Sequence, residues 1–165
     1  MLETWNLTGR ATLLTAAVIF TRNHSVARVI EQRIGQTTIS LDVALYRLNN
    51  PKLAGAVSDA ARRGVSVRVI MDRRKYEEDS QTRLLLQDSG LPFRLLLGRG
   101  RKGSKMHHKF AILDGRTALT GSYNWTLESE EENYDHLVIL QDPQVLQAYR
   151  REFDLLWQEA ESAGT

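Results

Sequence analysis

The chain has 165 residues, 42% of them hydrophobic and 25% charged, with a net charge of +2. Those fractions are ordinary for a soluble protein, and the length suits one domain with a core of its own. Cysteine is absent, which excludes a disulfide framework and any thiolate metal site and leaves a metal only histidines and carboxylates.

In chain order, residues 13–20 read as a buried first strand. The apolar stretch 11–20 is interrupted by Thr12 and Thr15, and Thr21-Arg22-Asn23-His24 offers no small-residue cleavage site. No targeting segment is therefore expected, and the expected compartment is the cytoplasm. No run reaches the roughly 18 apolar residues of a membrane span. Val26, Val29, Ile30 and Ile34 then fall at helical spacing and stop at Gly35. Residues 37–45 are strand-like, and Asn49-Asn50-Pro51 supplies a cap and a first-turn proline for a helix running to Gly64. A strand follows at 65–71, a helix at 80–89 ending at Gly90, and a strand at 91–97. Residues 109–113 and 117–120 flank Asp114-Gly115, a hairpin turn signal. A last strand at 137–140 precedes Asp142-Pro143. There a terminal helix starts, with Val145, Leu146, Tyr149, Phe153, Leu156 and Trp157 on one face. Strands and helices interleave without repeats or linkers, so a single α/β domain is expected over residues 1–165, with its core at about 13–160 and a sheet flanked by helices.

The small net charge is unevenly spread. Arg94, Arg99, Arg101, Lys102 and Lys105 fall within twelve residues that contain three glycines and no acid. Such a loop is a candidate for attracting phosphates, with Arg99, Arg101, Lys102 and Lys105 as the substrate-binding residues. The run Arg73-Arg74-Lys75 is followed at once by Glu77-Glu78-Asp79 and reads as a balanced surface segment. The four histidines show no metal-ligand spacing, and no cofactor is expected.

Chemistry concentrates where the basic loop ends. Residues two apart in a strand share a face, so His107 and Lys109 project together while His108 points away. A hairpin at Asp114-Gly115 returns Gly121-Ser122-Tyr123-Asn124 beside His107. An imidazole, an ammonium, a hydroxyl and a carboxamide then converge. Imidazole can attack phosphorus and form a phosphohistidine, while Lys109, Asn124 and Ser122 hold the non-bridging oxygens. The attacking nitrogen must be unprotonated, so an acceptor should fix the tautomer, and Asp135 in Asn133-Tyr134-Asp135-His136 can supply it. His24 reads as a helix-start residue, His136 as facing away from Asp135, Trp125 as packing and Trp157 as core.

The stretch MHHKFAILDGRTALTGSYNWT resembles the H-x-K-x4-D and G-S-x-N signature of the phospholipase D superfamily, most closely its small bacterial endonucleases with one motif per chain. ISLDVALYRLNNPKLAGAVSDAARRGVSVRVIMD looks like that family's second strand, helix and third strand, so most of residues 18–158 is covered. The resemblance implies a mixed β-sheet with helices on both faces. It implies His107 as nucleophile, Lys109 and Asn124 as phosphate ligands, Ser122 in the pocket, and Asp114 and Gly121 as structural members of the motif. Asp135 departs from the pattern, because those relatives usually place a glutamate there within N-x-E-N.

Family chemistry uses two histidines, one attacking and one protonating the leaving oxygen. His24 and His136 do not begin a second H-x-K, so the resemblance implies a C2 homodimer with one motif from each subunit in a shared site. The expected function is metal-independent nuclease action on DNA or RNA. The alternatives are a phospholipase D acting on phosphatidyl head groups and a non-catalytic nucleic-acid-binding module on the same fold.

Overall fold

A computed structural model describes residues 16–100 and 103–162 of the chain. In it the β-branched runs become strands β1 (Ala16–Phe20), β2 (Ser40–Leu45), β3 (Ser66–Asp72), β4 (Phe93–Leu96), β5 (Lys109–Leu113), β6 (Thr117–Gly121), β7 (His136–Leu140) and β8 (Glu161–Ser162). The helices are α1 (Val26–Gly35), α2 (Pro51–Arg62), α3 (Arg73–Glu78), α4 (Ser80–Asp88), α5 (Leu127–Glu131) and α6 (Pro143–Glu159). All strands join one sheet in the order β1-β7-β6-β5-β2-β3-β4-β8. The β2–β3 and β3–β4 pairs are parallel, which requires the helical crossovers that α2, α3 and α4 provide; the other pairs are antiparallel.

The helix starts follow from side-chain caps. Ser25 accepts from the Arg28 amide ahead of α1, Asn50 from Lys52 ahead of the Pro51 turn of α2, and Asp142 from Gln144 and Val145 ahead of α6. Along the strands, alternate residues divide between two cores. Leu41, Val43 and Leu45 of β2 and Val69 and Met71 of β3 pack with Ile30 and Ile34 of α1 and Leu53 and Val57 of α2. Their neighbours Ala44, Ile70, Phe110 and Ile112 pack with Phe153 and Leu156 of α6. The sheet is thus mixed and carries helices on both faces, as the sequence implied.

The α6 face is only partly covered. α6 packs on β4, β5 and β6, and the outer strand β1 leaves Val18 36% and Phe20 54% exposed. Arg68 spans the covered part, donating to Asp42 at 2.7 and 2.8 Å while lying over the Phe153 ring.

Several expectations shift in detail. Residues 13–15 of the first expected strand lie outside the described residues. The helix expected to reach Gly64 stops at Arg62, and Val145 of α6 is 37% exposed. Trp157 is only partly buried, because α6 ends at the sheet margin and Arg94 covers its ring at 4.3 Å. The charged segment at residues 73–78 is a helix, α3, and α5 and β8 are further elements that hydrophobic periodicity does not reveal.

Candidate active site

The ends of β1, β2 and β3, the start of β5, the end of β6 and the start of β7 meet at one sheet edge, since Leu45 pairs with Lys109 and Met71, Gly121 with Leu137, and Phe20 with His136. It is also the carboxyl edge of the parallel strands, where α/β sheets present ligand sites. His107 stands there, just ahead of β5. Two backbone ties hold its segment: Tyr46 N donates to His108 O at 2.8 Å and Met106 N to Asp72 Oδ2 at 2.9 Å. Asp72 is fully buried, at 0% exposure.

The imidazole of His107 packs against the buried Tyr46, with ring centroids 4.4 Å apart. Lys109 Nζ donates to His107 O at 2.9 Å and stands 3.4 Å from each ring nitrogen. The shared projection of His107 and Lys109 is therefore present, and His108 points elsewhere, edge-on to Phe110 and 3.5 Å from Glu152.

The Asp114-Gly115 turn, with both residues at positive φ, closes the β5–β6 hairpin. The Asp114 carboxylate accepts backbone N–H groups from Thr38, Ile39 and Ser40, the Ile39 bond measuring 2.7 Å, and so ties the hairpin to the start of β2. At the far end, Gly121 has φ +149, and a Cβ there would collide with the His136 carbonyl oxygen. Only glycine lets β6 run so close to β7 before the chain turns into Ser122.

Ser122 Oγ donates to Asp135 Oδ1 at 2.6 Å, accepts from His136 N at 3.2 Å and lies 3.1 Å from His136 Nδ1. The Asp135 carboxylate is thus engaged by Ser122, whereas the His107 ring has Lys109 and Tyr46 as its neighbours. Asn124 is fixed through its amide, which donates to the buried Ser129 of α5 at 3.2 Å. Its Oδ1 is buried and has no hydrogen-bond partner among the described residues. α5 locks this loop further: Glu130 accepts from Tyr123 OH and from Ala27 N, both at 2.9 Å. Trp125 packs, at 2% exposure, and its carbonyl takes the Asn49 and Asn50 amides at the head of α2.

Residues 30–157 match the family described as "Cardiolipin synthase, PLD-like domain". The chain belongs to the phospholipase D superfamily. Over 137 residues it is 34% identical to the mitochondrial cardiolipin hydrolase of Xenopus laevis, an alignment covering 83% of this chain and 63% of that protein. The chain spans about three-fifths of the length of the curated relatives it matches. Its fold is similar to that of Nuc from Salmonella typhimurium, a phospholipase D family member, with a TM-score of 0.80, 21% identity and coverage of 91% and 98% of the two chains. NucT from Helicobacter pylori is similar to the same degree, with a TM-score of 0.80, 22% identity and coverage of 89% and 98%.

The electrostatics of the site are cationic. Partial burial, then the ammonium groups of Lys109 and Lys105, hold the His107 imidazole below the ordinary histidine value. Burial also lowers Lys109, reinforced by Lys105 and opposed by Asp135. Of the basic loop, Lys105 reaches the site, with Nζ 5.5 Å from the Tyr46 ring centroid. Arg99 is exposed, and Arg101 and Lys102 lie outside the described residues.

Tyr46, Asp72, Lys75 and His136 also stand at this edge, and the sequence argument did not single them out as site residues. Tyr46 directly follows β2 and Asp72 ends β3, so their place at the carboxyl ends of adjacent parallel strands was the available signal. The expectation that His136 faces away is corrected, because Asp135 and His136 both lie against the Ser122 hydroxyl at the start of β7.

Proposed function

We propose that this chain is a nuclease that cleaves phosphodiester bonds through a phosphohistidine on His107, in a site shared by two copies of the chain. The observation that carries the reading is a histidine biased toward its neutral form with an ammonium group held against it. A neutral ring nitrogen attacks phosphorus and the bond to the leaving oxygen breaks. His107 of the second copy, as imidazolium, gives that oxygen its proton. Water, deprotonated by the same second histidine, then attacks the phosphohistidine, releases the phosphate and restores both rings. Lys109 and the Asn124 carboxamide N–H stabilise the charge on the non-bridging oxygens. The Ser122–Asp135 hydrogen bond holds the Asp135 carboxylate at the site.

Two features support the shared site. Each chain carries one H-x-K, and the β1 margin of the sheet offers Val18 and Phe20 for a second copy to cover. A phosphatidyl substrate is the second reading, favoured by the name of the relatives, mitochondrial cardiolipin hydrolase. Among the described residues no helix is long and apolar enough to cross a membrane.

The test incubates wild type and His107→Ala in EDTA with single- and double-stranded DNA, RNA and cardiolipin vesicles. Cleavage of nucleic acid that vanishes in the variant, with an acid-labile phosphoprotein trapped on quenching, supports the proposal. Lipid hydrolysis alone would replace it with the second reading, and activity that requires a metal would remove the mechanism.

A further inference from the structure

Three ammonium groups gather over one ring. Lys109, Lys105 and Lys75 place Nζ at 5.1, 5.5 and 5.8 Å from the centroid of Tyr46, which is itself only 7% exposed. They come from three parts of the chain: β5, the loop before it, and α3. The buried carboxylate of Asp72 sets two of those positions. Its Oδ1 caps α3 by accepting from Lys75 N at 3.0 Å, and its Oδ2 accepts from Met106 N, beside Lys105. The backbone from which Lys75 and Lys105 project is therefore held by one buried carboxylate.

Like charges held this close repel unless an anion is shared among them. Among the described residues neither Lys105 nor Lys109 has an ion-pair partner, while Lys75 Nζ is 2.5 Å from Glu78 Oε2, a carboxylate 59% exposed. Lys109 is committed to the scissile phosphate beside His107. The other two ammonium groups stand 5.5 and 5.8 Å from the centroid of the same ring.

We infer that Lys75 and Lys105, gathered over Tyr46, form a second phosphate subsite that holds the phosphodiester next to the scissile one. The inference rests on the nuclease reading above and sharpens it: the substrate is a strand with at least two consecutive phosphodiesters. Glu78 occupies Lys75 in the free protein, and the incoming phosphate displaces it.

The test compares wild type, Lys75→Gln, Lys75→Arg and Glu78→Gln on the thymidine trinucleotide, which has two phosphodiesters, and on bis(p-nitrophenyl) phosphate, which has one. KM is measured across a sodium chloride series, and thermal melting checks that each variant is folded. Lys75→Gln raises KM for the trinucleotide about tenfold, the loss of one charge-assisted contact, with a distinctly smaller rise on the single phosphodiester. It also flattens the slope of log(1/KM) against log salt by about 0.7, and Lys75→Arg keeps the slope. Glu78→Gln moves KM for the trinucleotide the opposite way, downward, because it frees Lys75. Equal losses on both substrates, an unchanged salt slope, or a rise in KM in Glu78→Gln would overturn the subsite while leaving the nuclease reading intact. Wild type that hydrolyses bis(p-nitrophenyl) phosphate and leaves the trinucleotide whole would overturn both.

Discussion

His107 is biased toward its neutral form by its place against Tyr46 and by two ammonium groups, so under the proposed mechanism it would attack phosphorus without first losing a proton at neutral pH. The sign of the pH dependence follows. Its pKa lies below the ordinary 6.5, so the acid limb, where the attacking ring protonates, is displaced to lower pH than an ordinary histidine would give. If two copies of His107 share the work as proposed, one neutral and one protonated, the profile belongs to the pair and is bell-shaped. Lys105→Gln removes one of the cations that lower His107, so both limbs move to higher pH when kcat/KM is followed from acid to alkaline buffer. An acid limb that stays in place, or moves lower, would show that Lys105 does not act on the histidine. Asp72 works on the same ring at one remove, through the Met106 amide. It is a positioning residue: it sets where His107 stands without touching the reacting atoms.

Among the elements, the β5–β6 hairpin holds Lys109 and sets His107, Ser122 and Asn124 at its open end, and Asp114 fastens it to β2. Burial alone would push the Asp114 carboxyl up, but the Ile39, Ser40 and Thr38 amides outweigh it and hold the pKa below its ordinary 3.8. A lowered carboxyl contributes stability that is present above the unfolded value and lost as pH falls through the folded one. Asp114→Asn keeps the positive-φ turn but loses the charge-assisted bonds, at a cost of about 2 kcal/mol at pH 7. Urea unfolding should show that gap at neutral pH and a narrowing gap below the ordinary carboxyl value; a gap independent of pH would assign the loss to packing instead. This hairpin was readable from sequence because Asp-Gly between two apolar runs has one economical conformation. The helices with buried faces, such as α1, α2 and α6, were readable for the same kind of reason. α3 was not, since none of its residues is buried and it leaves no apolar period; α5 is five residues long with only Ser129 buried, and β8 has two residues. The site followed the same division. His107, Lys109, Ser122 and Asn124 lie within eighteen residues and could be read together, whereas Tyr46, Asp72 and Lys75 are brought to the same edge only by the sheet order β5-β2-β3, antiparallel and then parallel, which no local pattern encodes.

At the scale of the whole molecule, one H-x-K per chain sets the question of assembly. A sheet whose α6 face is bare at β1 presents Phe20 at the same edge as the site, where it pairs with His136. Burying that residue against a second copy would join the two sites and remove apolar surface from water in one step. Phe20→Asp places a charge in that contact, so light scattering should report a monomer and phosphodiesterase activity should fall with it; a variant that is monomeric yet fully active would end the shared-site proposal. A mixing experiment decides the point without altering the interface. Wild type and His107→Ala are combined in equal amounts and allowed to exchange subunits. If each site needs a histidine from both chains, mixed dimers are dead and activity falls to about a quarter of that of the same total protein, all wild type, whereas chains that work alone retain about half.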